Sequence, residues 1–191
     1  MKNKFVHVKN DNMLLKSELI VLTETWLETN VFDNEEYEME GYESNFIRIG
    51  RGRGIASYYK MKFRHVANVN CEGLSLTKFE SDKFDVIGFY RSADGNVTKL
   101  IVELKLLMRE EKTTVIGGDL NICTLAYPRN YVTQSLREIG FEQLVKKSTH
   151  IEGGLIDHVY FRKGKSKISC IIENFPKYYT DHDGIGLVLT E

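Results

Sequence analysis

A chain of 191 residues with 42% hydrophobic, 11% aromatic and 28% charged residues can bury one sizeable core. It has neither a disordered composition nor the length for two comfortable domains. The formal net charge of −1 excludes a global basic field, so any nucleic-acid contact must come from a local patch.

Taken in chain order, the apolar positions Phe5, Val8, Met13 and Leu15 predict a short amphipathic helix over 5–16. Leu19 to Leu22 is a compact apolar run, predicted as a buried strand that opens into a loop at Thr23-Glu24-Thr25-Trp26. The acidic stretch Glu35 to Glu40 is expected as a solvated loop or turn. From Tyr42 to Tyr90 the pattern becomes one of short strands. Ile55 to Tyr59 follows the glycine-punctuated turn Arg51-Gly52-Arg53-Gly54, and Leu74–Phe79 and Phe84–Tyr90 form an expected antiparallel pair. Leu100 to Arg109 has helical spacing, Thr113 to Ile116 reads as a buried strand, and Val132 to Ile139 reads as a helix with Gly140 at its C-terminal cap. Strands are predicted over 156–161, 168–172 and 186–189, with Arg162-Lys163-Gly164-Lys165 as a hairpin turn. The simplest architecture is one α/β (α+β) domain over residues 1–191 with a mixed sheet core.

Cys71, Cys123 and Cys170 lie far apart without C-x-x-C spacing, which argues for reduced thiols over a disulfide framework or a zinc site. No stretch reaches ~18 apolar residues, so no membrane-spanning helix is predicted. The opening Met1-Lys2-Asn3-Lys4-Phe5 lacks the apolar core of a signal peptide, and an intracellular protein is expected.

Seven polar residues lie in or beside apolar strand-like runs. Glu24 follows the first, Tyr90 ends the run from Val86, and Asp119 and Asn121 follow Val115-Ile116. Asp157 sits inside its run, and Asp181 and His182 precede the last one. Sites are commonly built on such strand ends. Carboxylates with an amide are hard oxygen ligands suited to Mg2+ or Mn2+, with Glu24 a sensible direct ligand. A histidine with a separate aspartate gives an oriented imidazole. Metal-assisted phosphoester hydrolysis is the chemistry this set can perform. Singly, each residue has a plainer role as surface charge, turn former or core aromatic, and only their joint occurrence carries weight.

The segments Thr23-Glu24-Thr25-Trp26-Leu27, Phe89-Tyr90-Arg91, Gly117-Gly118-Asp119-Leu120-Asn121, Leu155-Ile156-Asp157-His158-Val159 and Thr180-Asp181-His182 resemble, in order, the motifs of the endonuclease/exonuclease/phosphatase superfamily. The first of them and the turn Gly52-Arg53-Gly54-Ile55-Ala56-Ser57-Tyr58 look most like LINE-type retrotransposon endonucleases. The resemblance implies a deoxyribonuclease-I-like two-sheet sandwich flanked by helices. It also implies a magnesium-dependent phosphodiesterase that nicks DNA to leave 5′-phosphate and 3′-hydroxyl ends. Glu24 and Asp181 would sit at the metal, Tyr90 and His182 would contact the phosphate, Asp157 would orient His182, and Asp119 with Asn121 would activate and position water. Thr149 and Arg91 match substrate-contacting positions. Whether Asp119 or the His182–Asp157 pair is the base stays open. The resemblance further implies a monomer acting on DNA, nuclear, and carried in a longer polyprotein with a reverse transcriptase.

The superfamily begins with a strand bearing an asparagine well before the metal-ligand glutamate. Here Asn3, Asn10 and Asn12 lie too near Glu24 to leave room for that strand, so it is expected to be missing and activity to be impaired. The alternatives are a catalytically silent nucleic-acid-binding remnant and a phosphatase of the same superfamily. A basic cluster of Arg48, Arg51, Arg53, Lys60, Lys62 and Arg64 beside Tyr58 and Tyr59 is the candidate DNA-contacting patch.

Overall fold

A computed structural model describes residues 2–27, 35–50 and 52–190, so Arg51 of the basic cluster lies outside the described residues. The predicted N-terminal helix is broken in two, α1 (Lys2–Lys9) and α2 (Asn12–Leu15). The break falls at Asp11, whose carboxylate accepts the Met13 and Leu14 N–H groups as an N-cap and also receives Tyr179 Oη at 2.8 Å and Lys177 Nζ. A capping aspartate is worth more at a helix start than inside one. Asn3 therefore lies in a helix and Asn12 opens one. Among the described residues no asparagine-bearing strand precedes Glu24.

The main sheet has six strands: β4 (Arg64–Cys71), β5 (Leu74–Glu80), β6 (Phe84–Arg91), β7 (Thr113–Asp119), β9 (Asp157–Arg162) and the short β8 (Glu142–Gln143), in the order β4-β5-β6-β7-β9-β8. Among the described strands only β6 and β7 pair in parallel, because α3 (Val97–Leu107) carries the chain back between them. Strand period sorts their side chains. Ile87, Phe89, Ile116, Leu120 and Tyr160 pack under α3 and α4 (Tyr131–Glu138), against Leu100, Leu104, Val132 and Leu136. Val86, Val115 and Val159 face the opposite way. Gly140 ends α4 with φ +88°, its N–H on Arg137 O and that of Phe141 on Leu136 O.

The second layer comes in two pieces. One is the antiparallel set β1 (Leu19–Thr23), β3 (Arg53–Tyr59) and β2 (Glu43–Gly50), in the order β1-β3-β2. The other pairs β10 (Ser169–Phe175) with β11 (Gly184–Thr190). Among the described strands, β1 pairs only with β3 and β11 only with β10. Ile172, Ile185, Leu187 and Leu189 of the smaller piece cover Val115 and Val159 but stay half-buried.

Two expectations need correction. The acidic stretch is not wholly solvated: it makes a 3-10 turn over Glu35–Tyr37, and Tyr37 and Met39 are buried beside Phe5 and Tyr58. The run 162–165 is no hairpin, since β9 and β10 belong to different sheets. It crosses between layers, tied to the turn before β7 by Arg162 Nη2 on Arg109 O at 2.8 Å and Lys165 on Glu111 at 2.6 Å. No helix among the described residues is long and apolar enough to cross a membrane.

Candidate active site

Register builds the site. Tyr90 on β6 lies directly opposite Asp119 on β7, and Asp119 lies opposite Asp157 on β9. Paired residues on neighbouring strands point to one face, here the face turned to the second layer. Gly118 makes the approach possible. A Cβ there would lie 1.7 Å from Phe89 O, so only glycine lets the Asp119 end of β7 run beside β6.

Two further groups reach the row from the two pieces of the second layer. Glu24, just past β1, accepts Tyr90 Oη at 3.3 Å. His182, just before β11, places Nδ1 2.8 Å from Asp157 Oδ2, which leaves Nε2 as the nitrogen able to meet a substrate oxygen. Asn121 adopts φ 52° and is locked to its neighbours. Its N–H donates to Asp119 Oδ1 at 2.8 Å, and its Nδ2 donates to Asp119 Oδ2 at 3.0 Å and to Arg91 O at 2.9 Å.

The electrostatics follow from crowding three acids around one imidazole. Burial, the Asp157 carboxylate and Glu24 raise the Asp119 carboxyl to about 7, against the opposing pull of the Asn121 N–H and His182. The hydrogen bond to Asp157 carries His182 up to about 9, although burial pulls the other way. Burial, then the charges of Glu24 and Asp119, raise the Tyr90 hydroxyl above its ordinary range and keep it a donor.

Thr149 and Arg91 take other places than the substrate face. Thr149 is buried, and its Oγ1 accepts the N–H groups of Ile156 at 3.2 Å and Asp157 at 3.1 Å, so it fixes the strand that presents Asp157. The Arg91 guanidinium is spent on three backbone carbonyls, Gly95 at 2.8 Å, Leu120 at 2.8 Å and Ala93 at 2.9 Å. It braces the loop that holds Asn121.

Asp181 is exposed and turns to His150, 3.6 Å from its Nε2. His150 is the residue that sequence reasoning passed over. It forms an isolated bridge with His182, and the two rings meet edge to face at 4.9 Å. Its one sequence signal is its place next to Thr149. His158, in the motif beside Asp157, points to the helix side of the sheet. There Nε2 meets Ile122 O at 3.0 Å and Nδ1 meets Tyr160 Oη at 3.1 Å, and burial lowers its pKa.

Among the described residues two close sets could hold a metal ion: Asp119, Asp157 and His182, and His150, Asp181 and His182. Glu24 belongs to neither set, but its charge acts on both Tyr90 and Asp119. Mutually repelling carboxylates with oxygen donors suit a hard divalent cation.

Described members of the basic cluster already face acids. Lys60 and Lys62 pair with Glu18 at 3.8 and 3.5 Å, Arg64 with Glu80 at 2.9 Å and Arg53 with Asp94 at 3.8 Å. Tyr58 and Tyr59 are buried and cannot stack on a base.

No family model and no curated protein matches the chain. Solved structures do. The 3′ phosphatase NExo from Neisseria, bound to a product DNA hairpin, is 12% identical over 99% of this chain and 95% of its own, with a TM-score of 0.69. TDP2 from D. rerio, complexed with a single-strand DNA product, is 11% identical over 99% and 92%, TM-score 0.69. The endonuclease domain of TRAS1, a telomere-specific non-LTR retrotransposon, is 10% identical over 97% and 90%, TM-score 0.64. The chain has the fold of the endonuclease/exonuclease/phosphatase superfamily that its motifs resemble.

Proposed function

We propose that this chain is a divalent-metal-dependent phosphodiesterase that nicks DNA. One observation carries the reading: Tyr90, Asp119 and Asp157 stand in register across three strands while Glu24 and His182 reach the same row from the second layer. The likeness to DNA-bound and retrotransposon enzymes supports the choice of DNA as substrate.

The residues divide the work by protonation state. His182, with Asp157 behind it, is an imidazolium at neutral pH, which makes it a donor to a phosphate oxygen and removes it as a base. Tyr90, once its hydroxyl turns from Glu24, is the other donor to that oxygen set, and Asn121, its Nδ2 held by Asp119 and Arg91 O, fixes the Asp119 carboxylate. Asp119, poised near 7, takes the proton of the attacking water as the new P–O bond forms and the bond to the departing oxygen breaks. Glu24, aided by the Asp119 carboxylate, would hold a divalent cation, which supplies Lewis acidity to the phosphate oxygens and the leaving group. Asp181 would act through His150, steadying the His182 loop.

The test is plasmid nicking with Mg2+ by the wild type, Asp119→Ala and His182→Ala. Each substitution is expected to slow nicking by ~10²-fold or more. Equal nicking by all three proteins would mean that a contaminant does the work and would end this reading.

A further inference from the structure

Three described residues other than glycine have positive φ: Glu24 at 53°, Trp26 at 56° and Asn121 at 52°. Left-handed backbone is unfavourable for a bulky side chain and persists where the surroundings hold it, often at a functional site. Two of the three belong to the site just described. The third is the chain's single tryptophan, and it is 61% exposed.

The indole is held in place. Thr25, between it and Glu24, is 2% exposed and anchors the loop. On the other side the ring rests on Gly52, where an added Cβ would lie 2.9 Å from Cζ2 and 3.1 Å from Cε2. The next residue is Arg53, whose side chain is 40% exposed and only loosely paired with Asp94 at 3.8 Å. Its charge is felt at the Tyr90 hydroxyl. A solvent-facing indole thus rests on the residue before Arg53, whose charge reaches the Glu24–Tyr90 edge of the site.

We propose that Trp26 and Arg53 form a shoulder that takes an unpaired nucleobase and its phosphate beside the reacting phosphodiester. The inference rests on the phosphodiesterase reading and names its substrate class: a strand with an unstacked base, such as a single strand, a flap or a distorted duplex. Every base has a π-face, so stacking on indole tolerates any sequence, and a neighbouring arginine tracks the backbone. Inside a regular duplex both faces of a base are covered by its neighbours, which excludes the indole.

The single tryptophan makes the test direct, because all intrinsic tryptophan emission comes from Trp26. With EDTA present to prevent cleavage, a single-stranded oligonucleotide is expected to quench that emission. An abasic oligomer of equal length, with the same phosphates, is expected to leave it nearly unchanged. In polarisation assays with labelled oligonucleotide, Trp26→Ala should weaken binding by roughly 5-fold to 100-fold, and Trp26→Phe by less. Arg53→Ala should lower the salt slope of binding by ~0.7. Because Trp26 is exposed, Trp26→Ala should melt close to the wild-type temperature, which separates lost binding from lost fold. Absence of binding, binding without quenching, equal quenching by the abasic oligomer, or unchanged affinity in Trp26→Ala would each overturn the proposal. Since binding is read without turnover, failure to nick leaves this result intact, and nicking without quenching removes only the shoulder.

Discussion

Replacing Asp157 with asparagine removes the charge that faces His182 and keeps the shape of the side chain. Asp157 Oδ2 lies 2.8 Å from His182 Nδ1, and that bond is the largest cause of the rise from 6.5 to about 9. At ~1.4 kcal/mol per pH unit, the rise corresponds to roughly 3 kcal/mol favouring the imidazolium, an upper figure because the ring keeps 19% side-chain exposure. A raised histidine pKa contributes stability that is complete below pH 6.5 and is lost as pH climbs through about 9. In Asp157→Asn that contribution should vanish. The His182 ring should then titrate well below the wild-type midpoint, since burial pulls it down against only the remaining charges of Asp119 and Asp181. Histidine Cε1–H resonances followed against pH give both midpoints. At a pH between the two midpoints the variant holds a neutral imidazole, and nicking there should fall ~10²-fold or more. A wild-type midpoint at or below 6.5, or a midpoint that Asp157→Asn leaves in place, would refute the assignment of His182 as a standing cation.

Asp119 gives a second pH effect of the same sign. Its carboxyl is raised from 3.8 to about 7, so ionising it in the metal-free fold lowers stability across that window. A divalent cation should relieve the crowding. Mg2+ is therefore expected to raise the melting temperature more at pH 8.5 than at pH 5, and Asp119→Asn should flatten the difference. A Mg2+ effect that does not vary with pH counts against a cation at these carboxylates. Far from the site, Asp85 is fully buried and neutralises Lys78 at 3.5 Å together with Arg109. Asp85→Ala should cost about 1–3 kcal/mol in a denaturant titration, since the buried Lys78 ammonium keeps Glu80 at 2.9 Å while Arg109 loses its nearest acid, with little change in the pH dependence of nicking.

The five motif segments and most strands were legible because period and glycine placement mark them. Leu19–Leu22, Thr113–Ile116 and the Gly140 cap all stand where the pattern put them. Pairing was not legible. That Tyr90, Asp119 and Asp157 form one row depends on register between strands separated by a helix and by long loops. Parity was legible only in part: a strand beginning at Asp157 must send His158 to the opposite face, and that alternation makes one of two neighbouring polar residues a core residue. Arg91 and the lysines of the basic cluster show the same limit. A cation in the sequence carries no sign of whether carbonyls or acids will already engage it.

The split second layer gives the site a structural task as well as a chemical one. β1, which leads to Glu24, and β11, which follows His182, share no hydrogen-bonded ladder, so neither fixes the position of the other. Each is registered separately on the six-stranded sheet, Glu24 through Tyr90 and His182 through Asp157. Thr149 adds to the second link, since its segment caps the N–H of Asp157 and also accepts Asp183 N at 2.7 Å. The distance between the Glu24 carboxylate and the His182 imidazole is therefore set by strand register in the buried main sheet. Loosening Tyr90 or Asp157 should act on both geometry and charge, whereas changes on the exposed face of β11 should leave the site in place.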